Sequence, residues 1–147
     1  MMKKIFVFIA VAIFLTGCSG KTDEKKEIRL FHLGEWENQI GYSQSATYGD
    51  RIVVSGTVGD TVKSKTMEAQ MKDAYDAILV TLKSENAGMN DVIKETIYCT
   101  SMDDLIKCQE ARKKIYNGHL PAATWVEVKR LYGPDHLIEI EVEAVIR

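Results

Sequence analysis

Ile138-Glu139-Ile140-Glu141-Val142-Glu143-Ala144-Val145-Ile146 alternates apolar and acidic side chains for most of its length. In an extended chain that period sends successive side chains to opposite faces. Ile138, Ile140, Val142, Ala144 and Ile146 therefore share one face and Glu139, Glu141 and Glu143 the other. A slip of one residue would bury three carboxylates, so the register of this strand is strongly specified. One of its faces is committed to a core.

Working back along the chain, Thr124 to Leu131 reads as a second strand, joined to the last one through Tyr132-Gly133-Pro134-Asp135. Ser101-Met102-Asp103-Asp104 resembles a helix N-cap with acids in the first turn, opening a helix through Leu105, Cys108, Ala111 and Ile115 that stops near Asn117-Gly118. Val92 to Thr100 is rich in strand-forming residues. Met67, Met71, Ala74, Ile78 and Leu82 recur at spacings of three and four, the stripe of an amphipathic helix, with Thr66 as N-cap and Gly88 beyond its end. Ile40 to Thr47 and Ile52 to Gly56 form a hairpin pair around Tyr48-Gly49-Asp50-Arg51. Ile28, Leu30 and His32 fit an edge strand, and Trp36 implies local packing. The order strand, strand, helix, strand, helix, strand, strand predicts an α+β domain with two helices on one face of a mixed sheet, whose other face needs cover.

The first residues read as a targeting signal. Lys3 and Lys4 precede the apolar run Ile5 to Leu15, which is too short to cross a bilayer core, and Leu15-Thr16-Gly17-Cys18 resembles a bacterial lipobox. The expectation is a signal peptide over 1–17, a diacylglyceryl thioether on Cys18, a solvated tether over 18–27 and one domain over 28–147, held at the cell envelope by its lipid. In a Gram-negative source that means an outer-membrane or periplasm-facing location. An ordinary secretory peptide with an incidental cysteine, or a short membrane anchor, is the alternative.

Without Lys3 and Lys4 the chain has 17 basic and 21 acidic side chains, a formal charge of −4. Nucleic acids are poor partners for such a surface, because phosphate neutralisation needs clustered Lys and Arg. His32, His119 and His136 are far apart, with no CxxC or HExxH spacing, no G-x-S-x-G and no glycine-rich phosphate loop, so neither a metal nor another cofactor is expected. Cys99 and Cys108 read as buried free thiols, with a disulfide as the alternative.

Five islands in fixed order add a second kind of information: Gly41-Tyr42-Ser43-Gln44, Val54-Ser55-Gly56-Thr57, Gly118-His119-Leu120-Pro121-Ala122, Val126-Glu127-Val128 and Ile138-Glu139-Ile140-Glu141. Over Ile40 to Ile146 the chain resembles the Rid/YjgF family, the reactive intermediate deaminases. The resemblance implies a chorismate-mutase-like fold, a homotrimer around a central barrel and ligand clefts between neighbouring chains. It places Tyr42 and Ser43 on the cleft wall, Ser55 and Gly56 on its floor, and Glu139 at the hydrolytic water. Some members carry a ribonuclease label, which the charge of this chain does not support.

The departures from the family pattern bear on activity. The third residue of the family's Pro-Ala-Arg motif, whose guanidinium grips a substrate carboxylate, is Ala123 here, and Trp125 stands where imine-hydrolysing members have a smaller residue. Alternation along 122–130 puts Ala123, Trp125, Glu127 and Lys129 on one face, so Ala123 and Trp125 are expected to look into the cleft. Trp125 is either a ligand wall or filler of a subunit interface. Glu139 is either a site residue or part of a solvated acidic face with Glu141 and Glu143, and Tyr42 either a site residue or a half-buried strand aromatic. The implied function is binding of a small metabolite, with hydrolysis diverged or lost; the alternative is an imine or enamine deaminase releasing ammonia from 2-imino acids.

Overall fold

The computed structural model describes residues 27–147. The expected signal peptide, Cys18 and all but the last residue of the tether lie outside the described residues. The elements in chain order are β1 (Ile28–Phe31), α1 (Trp36–Ile40), β2 (Ser45–Tyr48), β3 (Arg51–Val58), α2 (Met67–Ser84), β4 (Val92–Cys99), α3 (Met102–Lys107), α4 (Gln109–Ile115), β5 (Ala122–Glu127) and β6 (Ile138–Val145), with a single 3-10 turn at Met89–Asp91. They form one six-stranded sheet in the order β1-β2-β3-β6-β4-β5. Only the β4–β5 pair is parallel; the other pairs are antiparallel. The fold is α+β, with a mixed sheet as expected.

β6 runs through the middle of the sheet, and its alternation decides what lies on each side. Ile138, Ile140, Val142 and Ala144 are at most 1 % exposed and pack with Ile52, Val54 and Ile97 against Met71, Ala74, Ile78 and Leu82 of α2. Each such fully buried Ile, Val, Leu or Met side chain contributes roughly 1.5–3 kcal/mol of transfer free energy, which is why the period-two strand and the three-four helix meet on these faces. The α2 N-terminus starts where expected, with the Thr66 side chain accepting from Ala69 N at 3.2 Å. Ser101 caps α3 in the same way, accepting from Asp104 N at 3.2 Å.

Three boundaries differ from those expected. Ile40 to Thr47 is not one strand: α1 occupies Trp36–Ile40 and β2 begins only at Ser45. Gly41 ends α1 at φ 97°, its N–H donating to Glu37 O at 2.8 Å, a left-handed C-cap that a residue with a side chain adopts only under strain. The helix after Ser101 breaks at Cys108 into α3 and α4, because the Cys108 N–H closes a tight bond to Leu105 O at 3.0 Å before Arg112 N resumes the ladder to Cys108 O. β5 stops at Glu127, whose carboxylate leaves the strand to accept from Met102 N at 2.7 Å. Cys99 and Cys108 are both buried and unpaired. Among the described residues no helix is long and apolar enough to cross a membrane.

Candidate functional site

The cleft starts from an irregularity in β3. Val54 pairs with Val142 and Thr57 with Ile140, so Ser55 and Gly56 together face one residue of β6. This bulge bends the strand and re-aims its second half. It is pinned from several sides: Ser55 N donates to Gln44 O at 2.9 Å, Ser55 Oγ to Ser43 O at 2.7 Å, and the buried Gln44 side chain to Thr57 Oγ1 at 2.9 Å. Gly56 leaves room for the Glu139 side chain. A Cβ there would lie 2.0 Å from Glu139 Oε1.

Glu139 differs from its two neighbours on the acidic face. Glu143 pairs with Arg51, and Glu141 accepts from Tyr98 OH at 3.2 Å. Among the described residues nothing hydrogen-bonds to the half-buried Glu139 carboxylate. Burial raises its pKa above the ordinary glutamate range, an effect that nearby His136 opposes and Glu141 reinforces. The lack of a hydrogen-bond partner among the described residues separates Glu139 from Glu141, which alternation alone cannot do.

Tyr42 and Ser43 are held by the turn between β1 and β2 rather than by a strand. The Glu37 carboxylate, wholly buried, accepts from Leu33 N at 3.1 Å and from His32 Nδ1 at 3.1 Å, leaving His32 Nε2 to take the Ser43 hydroxyl at 3.4 Å. Tyr42 lies beyond α1 with its ring edge-on to Trp36, the centroids 5.8 Å apart at 64°. Its phenol is held above the ordinary range by burial first and then by Glu37 and Glu139, so at neutral pH it remains a donor.

Together these pieces enclose a cleft of about 490 Å³, within the range of small-molecule sites. Tyr42, Ser55, Gly56 and Glu139 line it, joined by Trp36, Tyr132 and His136, which the sequence pattern does not place there. His136 is positioned from α2. The buried Gln70 side chain donates to Asp135 O at 3.1 Å and accepts from Leu137 N at 2.8 Å, gripping both flanks of the histidine. His136 Nδ1 is buried with no partner among the described residues.

Ala123 and Trp125 lie elsewhere. In the parallel register Ala123 is beside Glu95 and Trp125 beside Ile97, so both share the helix-covered face of β4, opposite to Glu139. Ala123 and Trp125 share a face as expected, and within one chain that face is not the one that carries the Tyr42–Glu139 cleft, since paired strands carry neighbouring side chains to the same face. Trp125 is half-buried against the core and faces a polar cluster. The fully buried Glu95 carboxylate receives Arg112 Nε at 2.6 Å and an ion pair from Arg112 Nη2, with Tyr75 OH and Tyr116 OH each at 2.8 Å. The Arg112 guanidinium sits 5.1 Å from the Tyr116 ring centroid and 5.5 Å from that of Trp125. Burial, helped by the Glu95 charge, holds both phenols far above their usual range and therefore protonated.

Residues 35–146 match the family model described as endoribonuclease L-PSP. The chain belongs to the YjgF/RutC family. It is 35 % identical over 109 residues to a RutC family protein of Pyrococcus abyssi, a match covering 70 % of this chain and 84 % of the relative. A crystal structure of a YjgF/YER057c/UK114 family member from Mycobacterium tuberculosis superposes at a TM-score of 0.76 with 30 % identity, covering 82 % of this chain and all of that one. A protein of Dermatophagoides farinae named 2-iminobutanoate/2-iminopropanoate deaminase is 24 % identical over 110 residues, 71 % of this chain and 84 % of its own.

As a YjgF/RutC member the chain divides its expected site residues into two groups. Tyr42, Ser55, Gly56 and Glu139 meet in one cleft, with Ser43 behind them through its bonds to Ser55 and His32. Ala123 and Trp125 sit on the far edge strand. Among the described residues no three His, Cys, Asp or Glu side chains gather into a metal-ligand set.

Proposed function

We propose that this YjgF/RutC protein binds a small metabolite in the Tyr42–Glu139 cleft, with hydrolytic activity diverged or lost, and that a lipid on Cys18 holds it at the cell envelope. The observation carrying the binding reading is the cleft: a glycine bulge fitted to an unpartnered, half-buried carboxylate beside a protonated phenol. Loss of classical deamination is supported by Ala123, which offers no guanidinium to a substrate carboxylate, and by Trp125, whose indole is engaged with the Glu95–Arg112 cluster. The placement of Ala123 and Trp125 on an edge strand away from the cleft suits a trimer in which one chain's β5 approaches the next chain's cleft. Light scattering on the full chain in non-ionic detergent is expected to give a trimer mass after correction for the micelle.

The second reading is imine or enamine deamination. It is favoured by the relative named as a 2-iminobutanoate/2-iminopropanoate deaminase and by the raised pKa of Glu139, which suits a carboxyl that exchanges a proton with water. An assay of ammonia release from 2-imino acids generated in situ decides between them. The wild-type chain should accelerate release little or not at all, since an unclamped substrate loses the orientation that makes attack by water efficient. Robust turnover abolished by Glu139→Gln would establish the deaminase reading.

A further inference from the structure

The charges that one chain places around the cleft bear on the class of its ligand. Beside it lies a second hollow of about 390 Å³, and the two share Trp36, Tyr42, Gly56 and Val58 as a common wall. Glu139 lines the first, and Asp60 and Asp73 line the second; among the described residues no Lys or Arg lines either. Asp60 is answered by exposed Lys63 at 3.3 Å and Asp73 by Ser64 Oγ at 2.5 Å, which leaves Glu139 as the carboxylate without a bonded partner. Among the described residues His136 is the one lining either hollow that is able to carry positive charge. Trp36 and Tyr42 meet at 64°, so their rings form two non-parallel walls, and Tyr132, 85 % exposed, stands at the mouth.

Building on the reading of this cleft as a small-molecule site, we propose that its ligand is a cation, an alkylammonium or quaternary ammonium group seated against Trp36, Tyr42 and Tyr132 with Glu139 as counter-charge. Aromatic faces attract a desolvated cation through their quadrupoles, and a half-buried carboxylate with no internal donor is stabilised by one. A carboxylate ligand would meet the opposite field, with Glu139 repelling it and no guanidinium supplied by Ala123. All of the groups named come from a single chain.

Three probes of matched shape test this by isothermal titration of the full chain in non-ionic detergent: choline, its neutral isostere in which tert-butyl replaces trimethylammonium, and tert-butylacetate. Choline should bind about tenfold or more tighter than the neutral isostere, with the carboxylate weakest. Glu139→Gln should reduce the preference for choline to about threefold or less, and Trp36→Ala should weaken choline more than the neutral probe. Thermal melts of both variants establish that they are folded. Equal binding of choline and its isostere, or tighter binding of the carboxylate, would overturn the cation assignment while leaving the small-molecule reading intact. Failure of all three probes to bind would overturn both. An unchanged choline preference in Glu139→Gln would refute Glu139 as the counter-charge.

Discussion

Arg112→Met should be among the most destabilising single changes in the chain, although it touches no residue of the cleft. Glu95 is 0 % exposed, and Arg112 is the one described residue that places a cation on it. Without it the carboxylate keeps two phenol donors on Oε2 at 2.8 Å and, on Oε1, the indole N–H at 3.5 Å, too long to be strong. Removing one partner of a buried pair costs about 3–5 kcal/mol. The surviving hydrogen bonds to a charged acceptor, each contributing about 1.5–3 kcal/mol, put the expected loss near the lower end, about 3 kcal/mol. For a domain of this size that is a fall in Tm of roughly 10–15 °C. Urea titration followed by circular dichroism on the full chain measures it. Glu95→Leu combined with Arg112→Met leaves neither charge orphaned and should cost less than Arg112→Met alone. A single-variant loss under about 1 kcal/mol, or a double variant worse than the sum of its parts, would refute the picture of a tightly coupled buried pair.

Gly56→Ala should cost under about 1 kcal/mol in stability, because the new methyl meets only the mobile end of Glu139, yet it should weaken ligand binding by displacing that carboxylate; Gly59→Ala, whose Cβ would lie 2.6 Å from the Gln70 backbone, should instead destabilise by about 1–3 kcal/mol. Burial raises the folded pKa of Glu139 above its unfolded value, about 4.3, so its ionisation opposes folding once the pH climbs through that range. Glu139→Gln should accordingly gain stability relative to wild type at neutral pH, and the gain should vanish as the pH falls below the unfolded value; denaturant melts across pH 3–7 read the difference. Cys18→Ser should abolish metabolic labelling with palmitate and release the protein from membranes, whereas intact residues 1–17 on the mature protein would exclude lipidation.

How far the fold is legible in the sequence depends on the range of the forces involved. α2 and β6 are legible because burial of one face repeats at the element's own period, and Thr66 and Ser101 because a cap acts within three residues. α1 has five residues, Trp-Glu-Asn-Gln-Ile, with no apolar period; it exists because Gly41 turns left-handed and buried Glu37 ties the turn to His32 and Leu33. The break at Cys108 is equally local and equally aperiodic. In the site, Tyr42, Ser55, Gly56 and Glu139 are legible through the ordered islands. Trp36, Tyr132 and His136 are not, since loops and a short helix bring them to the cleft, and His136 depends on a Gln70 contact across 67 residues of chain. For Ala123 and Trp125 the shared face is legible from alternation, but alternation along a strand does not say which face of the sheet that is, and the pairing Ile97↔Trp125 shows it to be the helix-covered one.

That pairing also changes what the missing arginine means. Ala123 is the register partner of Glu95, a wholly buried carboxylate already held by Arg112, Tyr75 and Tyr116, with Trp125 closing over the same guanidinium. Ala123 therefore sits in a neighbourhood where the guanidinium on this face comes from α4 and is neutralised internally. Ala123→Arg alone would set a second guanidinium beside Glu95, where the nearest strong acceptor is that carboxylate rather than a ligand. Ala123→Arg with Trp125→Cys opens space but keeps the acceptor, so its new guanidinium remains drawn inward. A free fork at Ala123 requires Glu95 and Arg112 to be replaced together by apolar residues of similar volume, since removing either alone leaves the other charge buried and unanswered.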